Sequence, residues 1–196
     1  MEQTLRGLLS RPHAVGIRPL AFDIFVHPQH DAACARRGVA FLSNFSETYH
    51  HGLLMFDHEG SGREPTAPEE IEQALNREFA DSGWAQRARA IVISPELEAW
   101  VWSPSPHVEE VAGWKRRRPA LREWLIDRGL LHEGEPKPRR PKEAFREALR
   151  AASVARSSSL YRLLAERVSL QHCADASYRE LRNTLQEWFP PVRGTG

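Results

Sequence analysis

Two cysteines in 196 residues, Cys34 and Cys173, are too few and too far apart to frame a disulfide scaffold or a Cys-only zinc site. Each is expected to be a buried free thiol. No apolar run approaches the roughly 20 residues that a membrane-spanning helix needs. The opening residues MEQTLR carry an acid and no apolar core of the kind a secretory leader has. The reading is therefore a cytoplasmic protein with no membrane contact. Charge of one sign is also lacking, since the formal net charge is only +1. A Gly-x-Ser-x-Gly elbow, a P-loop and a dinucleotide fingerprint are all absent, which disfavours a serine hydrolase and a nucleotide triphosphatase.

What is present is an ordinary globular composition. Hydrophobic residues at 41% and charged residues at 27% argue against disorder, and the length suffices for one real core. Residues 19–27 (PLAFDIFVH) have the apolar and β-branched content of a first strand, and a helix follows to about Tyr49. Residues 52–57 (GLLMFD) read as a second strand. Thr66 offers an N-cap, with Glu69 three residues on, to a helix whose Ile71, Ala74, Leu75 and Phe79 share one face. Residues 88–93 (ARAIVI) read as a third strand. This alternation predicts a parallel sheet with helical crossovers, an α/β core over residues 1–103.

Past residue 103 prolines divide a set of short helices. Leu121, Trp124 and Leu125 mark one helix stopped near Gly129, and residues 142–152 mark another. Ser157 to Ser159 can cap a third and Asp175 a fourth, the latter carrying Tyr178, Leu181, Leu185 and Trp188 at helical spacing before Pro190. Residues 104–196 are thus expected to form a helical half packed on the core within a single domain, with a frayed tail after Pro191. The six tryptophans fit core or interface positions better than base-stacking platforms.

Two acidic pairs stand at predicted strand ends. Asp57 and Glu59 close the second strand before the turn Gly60, Ser61, Gly62, and Glu96 and Glu98 follow the third. Ligands of open α/β sheets gather beyond the carboxyl ends of the strands, and clustered carboxylates there suit Mg²⁺ or Mn²⁺. The plain alternative is a strand-to-loop transition with acids facing water, or Glu98 acting as a helix cap. His27, His30, His50, His51 and His58 flank these ends, and His27 and His58 are candidates for proton transfer. The more ordinary role is a polar residue at a strand edge. The Gly60 to Gly62 turn can also present backbone N–H groups to an anion.

Charge is uneven along the chain. Residues 115–142 hold ten Lys and Arg against four Asp and Glu, whereas residues 57–81 hold two against eight. A basic strip including Lys115, Arg116, Arg117, Arg118, Arg139 and Arg140 beside an acidic site suits a phosphate-rich ligand such as nucleic acid. A solvated face and a basic linker explain the same residues.

The blocks LLMFDHEG (53–60) and IVISPELEAW (91–100) resemble the second and third motifs of the Toprim-like proteins of the domain-of-unknown-function 4276 group. The block 168–173 (VSLQHC) with Tyr178 and Trp188 is similar to the group's C-terminal segment. The likeness extends over nearly the whole chain to small components of bacterial methylation-associated antiphage defence systems. It implies a Toprim-like Rossmannoid parallel sheet core in which Asp57 and Glu59 bind Mg²⁺ or Mn²⁺ and Glu96 and Glu98 complete the site. One departure stands out. Toprim domains carry a glutamate just after the first strand, where this chain reads VHPQHD (26–31), so Asp31 or a histidine replaces it or catalysis is lost.

Two expectations follow. One is a metal-dependent nuclease with Asp57, Glu59, Glu96 and Glu98 at the ion and His27, Asp31 or His58 handling protons. The other is a catalytically silent subunit that docks on another protein of the same defence operon to sense infection or regulate an effector.

Overall fold

The computed structural model describes residues 1–103, 105–168, 173 and 175–191. Most of the block 168–173, the break at Pro104 and the tail beyond 191 lie outside the described residues. The chain is mixed α/β. Two short helices, α1 (Glu2–Leu9) and α2 (Pro12–Val15), precede α3 (His30–Ser43), β1 (Gly52–Asp57), α4 (Pro68–Ala80) and β2 (Ala88–Ile93). The two strands pair in parallel, Gly52 opposite Ala88 and Asp57 opposite Ile93, with α4 as the crossover that a parallel pair requires. β2 is buried at nearly every position, as expected for a strand covered on both faces.

One face of the sheet holds a compact apolar cluster in which Leu54, Phe56 and Val92 meet Ile71, Leu75 and Phe79 of α4. These three α4 residues are the stripe read from the sequence. Their helix begins at Pro68 with Ala67 as its unassisted N-cap, so Thr66 does not cap it. Pro68 supplies a preset φ at the first helical position, and the Thr66 carbonyl instead lies 2.9 Å from His58 Nε2. α3 covers the same face closely. A Cβ on Gly38 would stand 2.6 Å from Leu54 Cδ1, so only glycine permits this approach.

The other face carries the larger cluster. Ile91, Ile93 and Trp100 pack with Phe145, Leu149 and Leu181, so the apolar core is continuous across residue 103. Phe145 and Leu149 lie on α7 (Pro141–Ala151) and Leu181 on α9 (Ala176–Trp188), and α5 (Pro106–Val111), α6 (Leu121–Asp127) and α8 (Ser158–Arg167) add Val108, Leu125 and Leu164 to the same cluster. Two helix starts in this half follow the sequence signals. Asp175 Oδ1 accepts from the amides of Ser177 and Tyr178 at 3.0 and 3.4 Å, and Ser157 Oγ accepts from Leu160 N at 3.2 Å. Replacing Ser157 with alanine should lower stability by about 1 kcal/mol, read as a shifted denaturant midpoint at unchanged slope. Tryptophans serve the core: Trp84, Trp100 and Trp114 are buried, and Trp100 Nε1 donates to Ser177 Oγ at 2.9 Å.

The predicted first strand is the main correction. Residues 19–27 are extended but join no ladder, and among the described residues the sheet has two strands. The segment is held outward by its neighbours on the α3 side. Tyr49 donates to Asp23 Oδ2 at 2.7 Å, and Phe25 stacks on Phe45 with centroids 4.4 Å apart. A cavity of about 820 Å³ lies between this segment and β1. No described helix is long and apolar enough to cross a membrane. Both cysteines are free, as expected, with Cys173 buried and Cys34 half-buried, and burial raises both thiol pKa values.

Candidate functional site

Asp57 ends β1 and Glu96 precedes the 3₁₀ turn Leu97–Trp100, so the two strand ends do converge. The amide of Leu97 donates to Asp57 Oδ1 at 3.0 Å. Asp31, at the start of α3, reaches the same point, where its Oδ1 accepts from the Asp57 amide at 3.2 Å. Burial, then the negative charges of Asp31 and Glu98, push the Asp57 carboxyl up to about 7. Asp31, Asp57 and Glu98 therefore share one electrostatic neighbourhood, where the sequence reading expects Asp57 and Glu59 with Glu96 or Glu98.

The remaining acids are committed elsewhere. Glu96 and Glu98 are buried to 3% exposure, and each meets a cation from the helical half. Lys142, at the start of α7, gives its amide to Glu96 Oε1 at 2.8 Å and its ammonium to Oε2 at 3.1 Å. Burial opposes the charge on Lys142, but the bond to Glu96 prevails and raises its pKa. Arg156 donates to Glu98 Oε1 at 2.8 Å, and the Tyr161 hydroxyl donates to the same oxygen at 2.5 Å. Burial, then the bond to Glu98, drives the Tyr161 phenol well above its ordinary range, so it remains a donor.

Glu59 does not join this group. It is exposed, and its amide donates to the Pro95 carbonyl at 2.9 Å. His58 holds the loop through Thr66, and His27 accepts from the Gln29 amide at 3.2 Å while packing edge-on to Phe41. Among the described residues, neither histidine is hydrogen-bonded to Asp57. The glycine turn behaves as an anion nest whose anion is internal: Gly60 and Gly62 donate their amides to Glu64 Oε1 at 2.9 and 3.1 Å. Glycine suits both positions because their φ values are +87° and +74°.

A divalent ion of the kind the resemblance implies does not fit these acids as they stand. Among the described residues no three His, Cys, Asp or Glu side chains come together to hold one, and Lys142 and Arg156 already neutralise Glu96 and Glu98. The basic strip is exposed and largely engaged in local contacts. Lys115 pairs with Glu110 at 3.2 Å, Arg139 with Glu135 at 2.8 Å and Arg140 with Glu143 at 3.1 Å, while Arg117 lies over the Trp114 ring. Such surface pairs are weak and screened, so an anionic surface can still compete for them.

Lys142, Arg156, Tyr161 and Glu64 are the site residues that sequence reasoning missed. Lys142 and Arg156 lie 46 and 58 residues from their carboxylates, with no local signal for either pairing. Glu64 was readable in principle, two residues beyond Gly62. No protein-family model, curated protein or solved structure matches the chain.

Proposed function

We propose that this chain is a Toprim-like subunit of a bacterial methylation-associated antiphage defence system, working through docking to another protein of its operon in an infection-sensing or effector-regulating complex. The Toprim-like reading rests on the motif resemblance at residues 53–60 and 91–100, and the antiphage assignment on the likeness over nearly the whole chain. One observation favours a silent subunit over a nuclease: the chain supplies its own counter-ions at the site. Lys142 and Arg156 stand at the acids, and Glu64 fills the glycine nest. Exchanging Lys142 and Arg156 for a metal ion carries the cost of opening pairs whose carboxylates are buried, whereas the Glu64 contact is exposed and only competes with an outside anion for the nest.

The test is expression of the tagged chain together with its flanking genes, followed by purification and a plasmid-nicking assay in Mn²⁺. Stoichiometric recovery of a neighbouring gene product, with no nicking above background, is the expected result. Failure to recover any neighbour removes the subunit reading. Mn²⁺-dependent nicking that disappears in Asp57→Ala would establish the nuclease instead, with Asp57 at the ion and the basic strip on the substrate.

A further inference from the structure

The parallel ladder fixes which backbone groups of β1 face outward. His58 N donates to Ile93 O at 2.8 Å, so residues 54, 56 and 58 point toward β2, and residues 53, 55 and 57 point away from it. On the far side of β2 the corresponding amides are covered, since Ala90 N and Val92 N donate to Asn76 Oδ1 and Glu72 Oε1, each at 2.8 Å. On β1 the Asp57 amide is covered by Asp31 at 3.2 Å. Among the described residues, Leu53 and Met55 are the outward positions of β1 that line the cavity with no ladder partner. Backbone groups placed beside apolar surface call for partners.

The same cavity of about 820 Å³ is lined by apolar side chains from both sheet faces, and a gap of that size beside a core forfeits packing on every wall. Its outer rim is residues 20–27. Their exposure alternates with period two: Leu20, Phe22 and Ile24 are half-buried and Ala21, Asp23 and Phe25 are exposed. That is the pattern of a strand with one face turned to a core. Phe25 and Val26, at 45% and 54% exposure, are large apolar side chains left in solvent at its end.

We infer that residues 19–27 form a strap that closes onto the open edge of β1 as a third parallel strand, and that the extended, outward position is its open state. Closure gives the Leu53 and Met55 groups ladder partners and brings Phe22 and Ile24 into the cavity. The open state is held by the surface hydrogen bond from Tyr49 to Asp23 and by ring contacts at the segment's end, Phe25 with Phe41, Phe45 and Tyr49 and His27 with Phe41. The strap runs directly into His27, His30 and Asp31, so its position sets where these residues stand relative to Asp57. This inference is independent of the defence reading.

Amide hydrogen exchange and NOE spectroscopy on the full chain test it. Cross-strand NOEs between residues 20–26 and residues 53–55 are expected in the wild type, with slow exchange at the Leu53 and Met55 amides. The double substitution Phe22→Asp/Ile24→Asp bars the strap from the cavity and should speed exchange at those two amides at least tenfold, leaving Ile91 and Ile93 slow. Absence of the NOEs in the wild type would overturn the proposal even if the variant fails to fold. So would Leu53 and Met55 amides equally slow in both proteins, because another segment would then occupy the edge.

Discussion

Truncating Arg156 to alanine should destabilise the protein by about 2–3 kcal/mol. Glu98 is 3% exposed, and among the described residues it keeps only the Tyr161 hydroxyl as a side-chain donor once the guanidinium is gone. Breaking a buried pair by removing one partner costs roughly 3–5 kcal/mol because an uncompensated charge stays behind. The lower figure applies here because the Arg156 side chain is 44% exposed and water screens part of the interaction. Adding Glu98→Gln should recover most of the loss, since the amide oxygen still accepts from Tyr161 and no charge is stranded. Urea midpoints for the two single variants and the double variant close the cycle. A cost below about 1 kcal/mol for Arg156→Ala would mean that Glu98 is hydrated or neutralised by another cation.

The same logic extends to Lys142. Removing both cations, Lys142→Ala/Arg156→Ala, leaves the buried carboxylates of Glu96 and Glu98, the latter in the electrostatic neighbourhood of Asp57, without their lysine and arginine partners. Titration calorimetry should then show Mn²⁺ binding that the wild type lacks. Equal binding in both proteins would show that the two cations do not exclude the metal.

The sequence was most readable where structure is local. The runs at residues 52–57 and 88–93 became β1 and β2, and Ile71, Leu75 and Phe79 bury one face of α4. Asp175 and Ser157 cap the helices they were expected to cap. Residues 19–27 show where that logic ends, because an apolar alternating run specifies an extended chain but not the edge it pairs with. The candidate site divides in the same way. Asp57 and Asp31 meet at the end of β1, a contact absent from the strand-end set of Asp57, Glu59, Glu96 and Glu98, while the neutralisation of Glu96 and Glu98 depends on residues packed from the distant half of the chain. Glu59 was expected beside Asp57, but alternate strand positions diverge once the ladder ends, and the turn carries it into solvent.

Asp57 should make the metal-free protein less stable as the pH rises. Its pKa moves from 3.8 to about 7 on folding. Below about pH 4 the carboxyl is neutral in both states and the folded protein carries no penalty. Between pH 4 and 7 the unfolded chain releases the proton while the folded chain retains it, so stability falls across that window and levels off above it. The displacement corresponds to a loss of at most roughly 4 kcal/mol, reduced by whatever water reaches this half-buried group. Asp57→Asn, which keeps an oxygen to accept from Leu97 and has no proton to lose, should flatten that segment of the pH profile. It should therefore be more stable than the wild type at pH 8 and nearly equal at pH 4. The measurement is the denaturant midpoint of both proteins from pH 4 to 8 in chelator. A wild-type profile with no extra decline relative to the variant would place the Asp57 carboxylate in water or beside a cation. Restoring Mn²⁺ at pH 8 then separates the two, because only a cation at Asp57 raises the wild-type midpoint and leaves the variant unmoved.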